Sequence, residues 1–133
     1  MTLLLALILL AVSPHDAYAA VAIATCESGD TVTFGTYDWR ARSATADGGA
    51  FQFNDSTWRY IVGDGRADYA APLAQTDAFV VLFEHGDGLQ HWSASGACWS
   101  KWIDTAGNPV DRIHYSAFVR AYWLLSVDYG AKQ

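Results

Sequence analysis

The residues that could do chemistry in this chain centre on Cys26 and Glu27, a cysteine followed directly by a carboxylate. Breaking a glycosidic bond needs a proton donor, and a rigidly held glutamate that is partly removed from water can serve as one. A disulfide from Cys26 to Cys98 would hold the neighbouring carboxyl in place. The same dipeptide is also compatible with an ordinary surface glutamate beside a structural cysteine.

A second carboxylate normally acts as base or nucleophile in glycoside hydrolysis. Asp30, Asp38 and Asp47 are candidates by sequence proximity, although each lies in a turn-like context that is typical of solvated loop residues. Without a second acid, lytic transglycosylation is possible, because one glutamate can first donate a proton and then accept one. Hydrolysis by a positioned water stays open.

A length of 133 residues is enough for one small domain, and 52% apolar residues, among them 6 Trp, 7 Tyr and 6 Phe, can supply its core. The net charge is -6 and no cluster of Lys or Arg is present, which argues against a nucleic acid or an anionic membrane surface as partner. We expect no cofactor. We also expect no metal, because the chain has no Cys-x-x-Cys motif and the pair His85 and His91 lies in a glycine-rich loop without further ligands.

The first 19 residues are typical of a secretory signal peptide. Residues 3–12 form an apolar run that is too short to span a membrane, and Ala17-Tyr18-Ala19 fits the small-x-small cleavage pattern, although no Lys or Arg precedes the run. We therefore expect a secreted, extracellular protein without a stable membrane span after cleavage. An uncleaved anchor and a buried N-terminal helix are the alternatives.

Export makes the two cysteines informative. In an oxidising compartment they most simply form one bridge, although both thiols could stay free. Cys26 and Cys98 are about 70 positions apart, and closing so long a loop should stabilise the fold by about 4 kcal/mol on the chain-entropy account.

The pattern of the remaining chain predicts a fold of the α+β class, mainly α. We expect a short buried helix over 20–27, an extended arm or hairpin over 31–39, and a turn at Asp47-Gly48-Gly49. Further helices are predicted over 54–62, capped by Asn54, and over 72–85, between Pro72 and Gly86, followed by a loop or short helix over 88–95.

A last helix is predicted to start at Asn108-Pro109. Its apolar stripe should dock on the domain, although a face for a protein partner is possible. The stripe comprises Val110, Ile113, Ala117, Ala121, Leu124 and Leu125.

Several short motifs resemble the transglycosylase-like domain of resuscitation-promoting factors, small secreted cell-wall enzymes of actinobacteria. In chain order, they are Cys26-Glu27-Ser28-Gly29, then Gly49-Ala50-Phe51-Gln52-Phe53, then Ser56-Thr57-Trp58, then the segment 75–83, and finally Trp92 followed by Cys98. No single motif is specific, but their order and the placement of both cysteines carry the resemblance over residues 21–99.

The resemblance implies a small lysozyme-like domain with a substrate cleft, one disulfide between Cys26 and Cys98, and Glu27 as the catalytic acid. It implies that Gln52 and Thr57 lie along the sugar-binding cleft, and we add Trp92 as a candidate sugar contact, although a core position is the stronger interpretation for that tryptophan. The implied substrate is the β-1,4 glycan strand of peptidoglycan, and the implied location is the cell wall.

The chain departs from the family in three places. The stretch 29–49 is longer than expected, Asp47-Gly48 stands where many members carry aromatic residues, and everything after Trp99 lies outside the match.

We therefore divide the chain into a signal peptide (1–19), a transglycosylase-like domain (20–99) and a C-terminal helical extension (100–133). The predicted activity is that of a lytic transglycosylase or muramidase-type glycosidase. The alternatives are a non-catalytic module that binds cell-wall glycan and a phage-encoded wall-degrading muramidase.

Overall fold

The computed structural model of this chain describes residues 12–112 and 114–131, with side chains described as far as residue 128. The α-helices of this part are α1 (Pro14–Glu27), α2 (Asp55–Val62), α3 (Pro72–His85), α4 (Gly96–Trp99) and α5 (Tyr115–Ala131). Strands β1 (Asp47–Gly48) and β2 (Phe53–Asn54) form an antiparallel pair, and 3₁₀ turns cover Ala67–Tyr69 and Gly88–Ser95. The predicted α+β, mainly α class and the C-terminal helix are confirmed.

Helix α1 runs through the middle of the core. The Ser13 hydroxyl accepts the backbone N–H of Asp16 at 3.1 Å, and Pro14 occupies the first turn, so that the helix begins at Pro14 rather than at residue 20 as predicted. Every residue from 16 to 25 is buried. The side chains there are mostly small, which lets neighbouring elements approach the helix from all sides.

The cleavage pattern predicted for a signal peptide lies inside this buried helix. Ala17 and Ala19 are fully buried, and the Tyr18 ring packs 4.8 Å from Phe34 and 5.6 Å from Phe118. Cleavage after Ala19 would therefore remove side chains of the core. Most of the apolar run over residues 3–12 lies outside the described residues, and no described helix has the length and hydropathy needed to cross a membrane.

The segment between α1 and β1 is irregular, and the extended arm or hairpin predicted over 31–39 is not present. The reason is local, because Asp30 Oδ1 accepts hydrogen bonds from the backbone N–H groups of Val32 and Thr33, at 2.9 and 2.6 Å, and from the Thr36 hydroxyl. These bonds close a turn where a strand would need free N–H groups. Gly29 permits this turn, since a Cβ there would lie 1.9 Å from the carbonyl oxygen of Thr36.

The two-stranded sheet comes directly after this irregular segment in the chain. Asp47 pairs with Asn54 and Gly48 with Phe53, and an isolated bridge joins Arg42 to Gly48. The predicted turn at Asp47-Gly48-Gly49 is therefore a short strand whose chain then reverses over residues 49–52.

A buried glutamine on α3 fixes the position of this sheet. Gln75 is fully buried, its Oε1 accepts the backbone N–H of Ala50 at 2.9 Å, and its Nε2 donates to the carbonyl oxygens of Trp39 and Ala70. One side chain thereby joins the irregular segment, the turn after β1 and the end of the 3₁₀ turn Ala67–Tyr69.

Helices α2 and α3 begin and end where the sequence predicts. The Asn54 side chain accepts the backbone N–H of Thr57 at 2.8 Å, which caps α2, while Pro72 and Gly86 bound α3. Phe79 of α3 lies in the aromatic core, with its ring centroid 5.0 Å from those of Phe51 and Trp92.

The last helix starts at Tyr115 and not at Asn108, so the predicted start is wrong. Asp104 Oδ1 accepts the N–H of Asn108 at 2.9 Å, and Ile103 pairs with Pro109 in an isolated bridge, which holds this segment as a turn. Ile113, assigned above to the apolar stripe, lies outside the described residues.

The predicted docking of α5 on the domain is confirmed. Ala121 and Leu125 are buried in the same core as α1, and the Tyr122 hydroxyl donates to the carbonyl oxygen of Val12. The indole N–H of Trp39 donates to Asp128 at 2.8 Å. Helix α5 therefore completes the core around α1.

The disulfide between Cys26 and Cys98 is confirmed, with an S–S distance of 2.04 Å and a Cα–Cα distance of 5.8 Å. It joins the end of α1 to α4. The substitution Cys98→Ser should lower the free energy of unfolding by up to about 4 kcal/mol under oxidising conditions. Thermal melts of wild type and variant measure this loss, and under strong reductant the two proteins should melt together. An equal difference in both conditions would mean that the bridge contributes nothing.

Helix α1 also generates a prediction about the N-terminus. A chain that starts at Ala20 lacks the buried Ala17, Tyr18 and Ala19, and it should melt at least about 10 °C below a chain that starts at Val12, because aromatic and aliphatic core contacts are lost. Differential scanning calorimetry of the two purified chains measures this. Equal melting temperatures would show that residues 12–19 are dispensable for folding.

Candidate active site

Glu27 is the last residue of α1 and stands where the buried helix reaches the surface. Its side chain is partly exposed, whereas residues 16–25 of the helix are all buried. The preceding Cys26 is bonded to Cys98, so the backbone that carries the carboxyl is covalently tied to α4. Glu27 is therefore held at the boundary between core and solvent.

Ser95 contacts the Glu27 carboxyl directly. Its hydroxyl donates to Glu27 Oε1 at 2.7 Å and also lies 3.1 Å from the carbonyl oxygen of Trp92. Ser95 ends the 3₁₀ turn Gly88–Ser95, three positions before Cys98. The disulfide and the serine thus hold the same carboxyl from the same segment.

The pKa of Glu27 is raised above its ordinary value, chiefly by burial, which disfavours the charged form. The hydrogen bond from Ser95 stabilises the carboxylate and acts in the opposite direction. The negative charge of Asp47 adds to the increase. A raised pKa keeps a carboxyl protonated closer to neutral pH, which is the direction that a proton donor requires.

The three aspartates considered as second acids lie in different settings. Asp30 accepts several hydrogen bonds in its own turn, and these hold its pKa at about 2. Asp38 accepts the backbone N–H of Arg40 at 2.9 Å and is exposed. Asp47, on β1, is the one whose charge acts on Glu27.

Trp92 lies in the core, and this corrects its assignment as a sugar contact. Only 2% of its surface is exposed, its indole N–H donates to the carbonyl oxygen of Phe51 at 2.9 Å, and its own carbonyl oxygen accepts from the indole of Trp99. A side chain so enclosed cannot stack on a sugar. Its carbonyl oxygen instead supports Ser95.

Gln52 is engaged within the turn that it ends. Its Nε2 donates to the carbonyl oxygens of Gly49, at 2.9 Å, and Ala41, at 3.4 Å. Its backbone has a φ of 52°, a left-handed conformation in which these side-chain bonds help to hold the chain. This amide nitrogen is therefore used to hold the turn between β1 and β2.

Thr57 lines an open cavity of about 510 Å³. His91 forms part of the same wall, and the exposed ring of Tyr60 stands at its rim. The lining residues are Ser56, Thr57, Tyr60, Leu82, His85, Gly86, Asp87 and His91.

His91 packs from the wall of this cavity against the aromatic core. Its ring lies 4.9 Å from Trp92 and 6.1 Å from Phe53, and burial lowers its pKa, while Asp87 and Asp47 act in the opposite direction. Sequence reasoning treated this histidine as a surface residue. The structure places it between the wall of this cavity and the aromatic core.

A cluster of possible metal ligands lies near the start of α1, far along the helix from Glu27. Ligand atoms of His15, Asp16 and Glu84 are within 4.8 Å of one another. Both ring nitrogens of His15 are already engaged, with Asp16 at 3.2 Å and Asn108 at 2.9 Å. The cluster therefore contributes nothing to the site at Glu27.

Sequence reasoning missed Ser95. Its signal was its position next to Cys98, because a bridge to Cys26 must bring the residues around Cys98 close to Glu27.

No family model, curated protein or solved structure matches the chain.

Ser95→Ala should raise the pKa of Glu27, because the hydrogen bond that stabilises its ionised form is lost. A ¹³C NMR titration of the glutamate carboxyls measures this pKa. The exposed Ser93 lies in the same 3₁₀ turn, and Ser93→Ala serves as the matched control. An unchanged pKa in the Ser95 variant would contradict the role assigned to this bond.

Proposed function

We propose that this protein cleaves the β-1,4 glycan strand of bacterial peptidoglycan, with Glu27 as its acid and base, and that it acts as a lytic transglycosylase outside the cell, at the cell wall. The observation that carries the proposal is a half-buried glutamate with a raised pKa, held by a disulfide and a serine at the end of a buried helix. The resemblance of the ordered motifs to those of resuscitation-promoting factors supports the same substrate.

In the first step, the protonated Glu27 gives its proton to the glycosidic oxygen. The bond between that oxygen and C1 breaks, its electron pair stays on the oxygen, and positive charge develops on the C1 and ring-oxygen atoms of the muramic sugar. The raised pKa of Glu27 increases the fraction that carries the proton at neutral pH.

In the second step, the Glu27 carboxylate takes the proton of the 6-hydroxyl of the same sugar. The oxygen of that hydroxyl bonds to C1 and closes an anhydro ring, which restores the protonated acid and consumes no water. Ser95, which donates to Glu27, stabilises the carboxylate between the two steps.

The cavity beside His91 supports binding of a glycan chain. Its threonine and serine hydroxyls suit sugar hydroxyl and acetamido groups, and the exposed Tyr60 ring offers an apolar face for a sugar ring. We place the sugars next to the scissile bond in this cavity, with Thr57 as a hydrogen-bonding contact.

Glu27→Gln should reduce the release of muropeptides from purified peptidoglycan by at least about 1,000-fold, because the amide cannot donate and regain the proton. High-performance liquid chromatography of the soluble products measures the release. A variant that releases muropeptides at the wild-type rate would refute Glu27 as the acid. If the wild type releases muropeptides and the variant binds insoluble peptidoglycan without releasing any, the protein is an enzyme. If the wild type also binds without release, it is a glycan-binding module.

The stability of the same variant controls for misfolding. Since the folded protein raises the pKa of Glu27, ionisation of this residue costs stability as pH rises through the unfolded and then the folded pKa. Glu27→Gln removes that cost, so at pH 7 the variant should melt at or above the wild-type temperature, with the difference vanishing at low pH.

Mass spectrometry of the wild-type products distinguishes the two reaction types. We expect 1,6-anhydro ends, which are lighter by one water than the reducing ends of a hydrolase. Reducing ends would keep Glu27 as the acid but assign hydrolysis instead of transglycosylation.

A further inference from the structure

Three side chains that can ligate a metal ion meet between the start of α1 and the end of α3. His15 and Asp16 lie in the first turn of α1, and Glu84 lies in the last turn of α3. One ligand atom from each of the three lies within 4.8 Å of the other two. The cluster is separate from Glu27, because about 16 Å of helix lies between Asp16 and that residue.

The spacing within this cluster fits the coordination shell of one ion. His15 Nδ1 and Asp16 Oδ1 are 3.2 Å apart. Two ligands that each lie about 2.1 Å from a zinc ion, at a tetrahedral angle, are about 3.4 Å from each other. Glu84 is exposed, so a change of its side-chain rotamer can bring an oxygen into the same shell.

The His15 ring is held so that Nδ1 faces the carboxylates. Its Nε2 lies 2.9 Å from Oδ1 of Asn108, and the ring stacks on Phe83 with centroids 5.8 Å apart. Because the Asn108 oxygen can only accept, Nε2 carries the proton, and in the neutral ring Nδ1 presents a lone pair to an Asp16 oxygen that also accepts. Histidines that ligate metals are held in this way, with the second ring nitrogen bonded outside the shell.

Asp16 brings a buried carboxylate to the cluster without a donor from elsewhere. Only 8% of its side chain is exposed. In the part of the chain that the structure describes, its carboxylate accepts from no group outside the cluster, and neither Asp16 nor Glu84 pairs with Lys or Arg. The hydrogen-bonding contact with Asp16 raises the pKa of Glu84. Two carboxylates held together are costly unless a cation or a proton is shared, and the positive end of α1 offsets only part of this cost.

We propose that His15, Asp16 and Glu84 bind a divalent transition-metal ion such as Zn²⁺, which joins the start of α1 to the end of α3. Imidazole nitrogen together with carboxylate oxygen suits zinc, whereas Mg²⁺ and Ca²⁺ prefer oxygen ligands alone. Water completes the shell on the exposed side, beside Glu84. No metal was expected from the sequence, because these ligands come from two helices that are far apart in the chain. The site does not depend on the proposed activity at Glu27.

Isothermal titration calorimetry with ZnCl₂ tests the proposal on the full chain after treatment with EDTA and dialysis. We expect one ion to bind per chain. The melting temperature should rise in excess Zn²⁺, because the ion binds the folded state, and MgCl₂ should raise it much less. No binding of Zn²⁺ up to millimolar concentration would overturn the proposal.

Two variants and a matched control separate this site from general binding of zinc to surface histidines. Glu84→Gln removes a charged ligand at an exposed position, and Asn108→Ala removes the partner of His15 Nε2. Each should weaken binding of Zn²⁺ by at least about tenfold. His114→Gln changes an exposed histidine outside the cluster and should leave the affinity unchanged. Wild-type affinity in Glu84→Gln, or an equal loss in His114→Gln, would contradict the assignment.

Nuclear magnetic resonance identifies the nitrogen that binds the ion. In a long-range ¹H–¹⁵N spectrum, addition of Zn²⁺ should move the Nδ1 signal of His15 to that of a metal-bound nitrogen, while Nε2 keeps its proton. A spectrum in which both ring nitrogens carry protons at neutral pH, and in which Zn²⁺ changes neither signal, would show a salt bridge to Asp16 instead of a metal site.

Discussion

The structure depends on one helix that is enclosed on every side. Because residues 16–25 of α1 are all buried, every neighbouring element is placed by the need to cover it, including α5, which carries Ala121 and Leu125 against it. Such a helix can meet solvent only at an end. Glu27 is at that end, so the burial that stabilises the fold also sets the environment of the carboxyl.

Two opposed effects determine the pKa of Glu27. Burial disfavours its charge, and the Ser95 hydroxyl compensates in part at 2.7 Å. A carboxyl in this balance can exist in both protonation states during a reaction cycle, which a group stabilised strongly in one state cannot. The disulfide at Cys26 matters here because it prevents the helix end from moving to relieve the cost of burial.

Local signals predicted the elements that local bonds create. Asn54 caps α2, and Pro72 and Gly86 bound α3, because these residues act on their own backbone. The predictions failed where an aspartate bonded to the backbone of a nearby residue that the pattern had placed in a strand or a helix. Asp30 closed a turn in place of a strand, and Asp104 held Asn108 outside the last helix.

The candidate site was predictable to a similar extent. Glu27 and the disulfide could be named from two cysteines and a motif, and the nearness of Ser95 to Cys98 offered a signal that was missed. The packing of His91 on Trp92 and Phe53 has no local signal in the sequence.

The bonds of Gln75 have an evolutionary consequence. This position needs one acceptor for the N–H of Ala50 and two donors for the carbonyl oxygens of Trp39 and Ala70. The amide group of glutamine supplies all three. Glutamate would replace both donors with a buried charge, and an apolar residue would leave three main-chain groups without partners. Diverging descendants of this chain can therefore exchange much of the surrounding core while this single amide stays fixed.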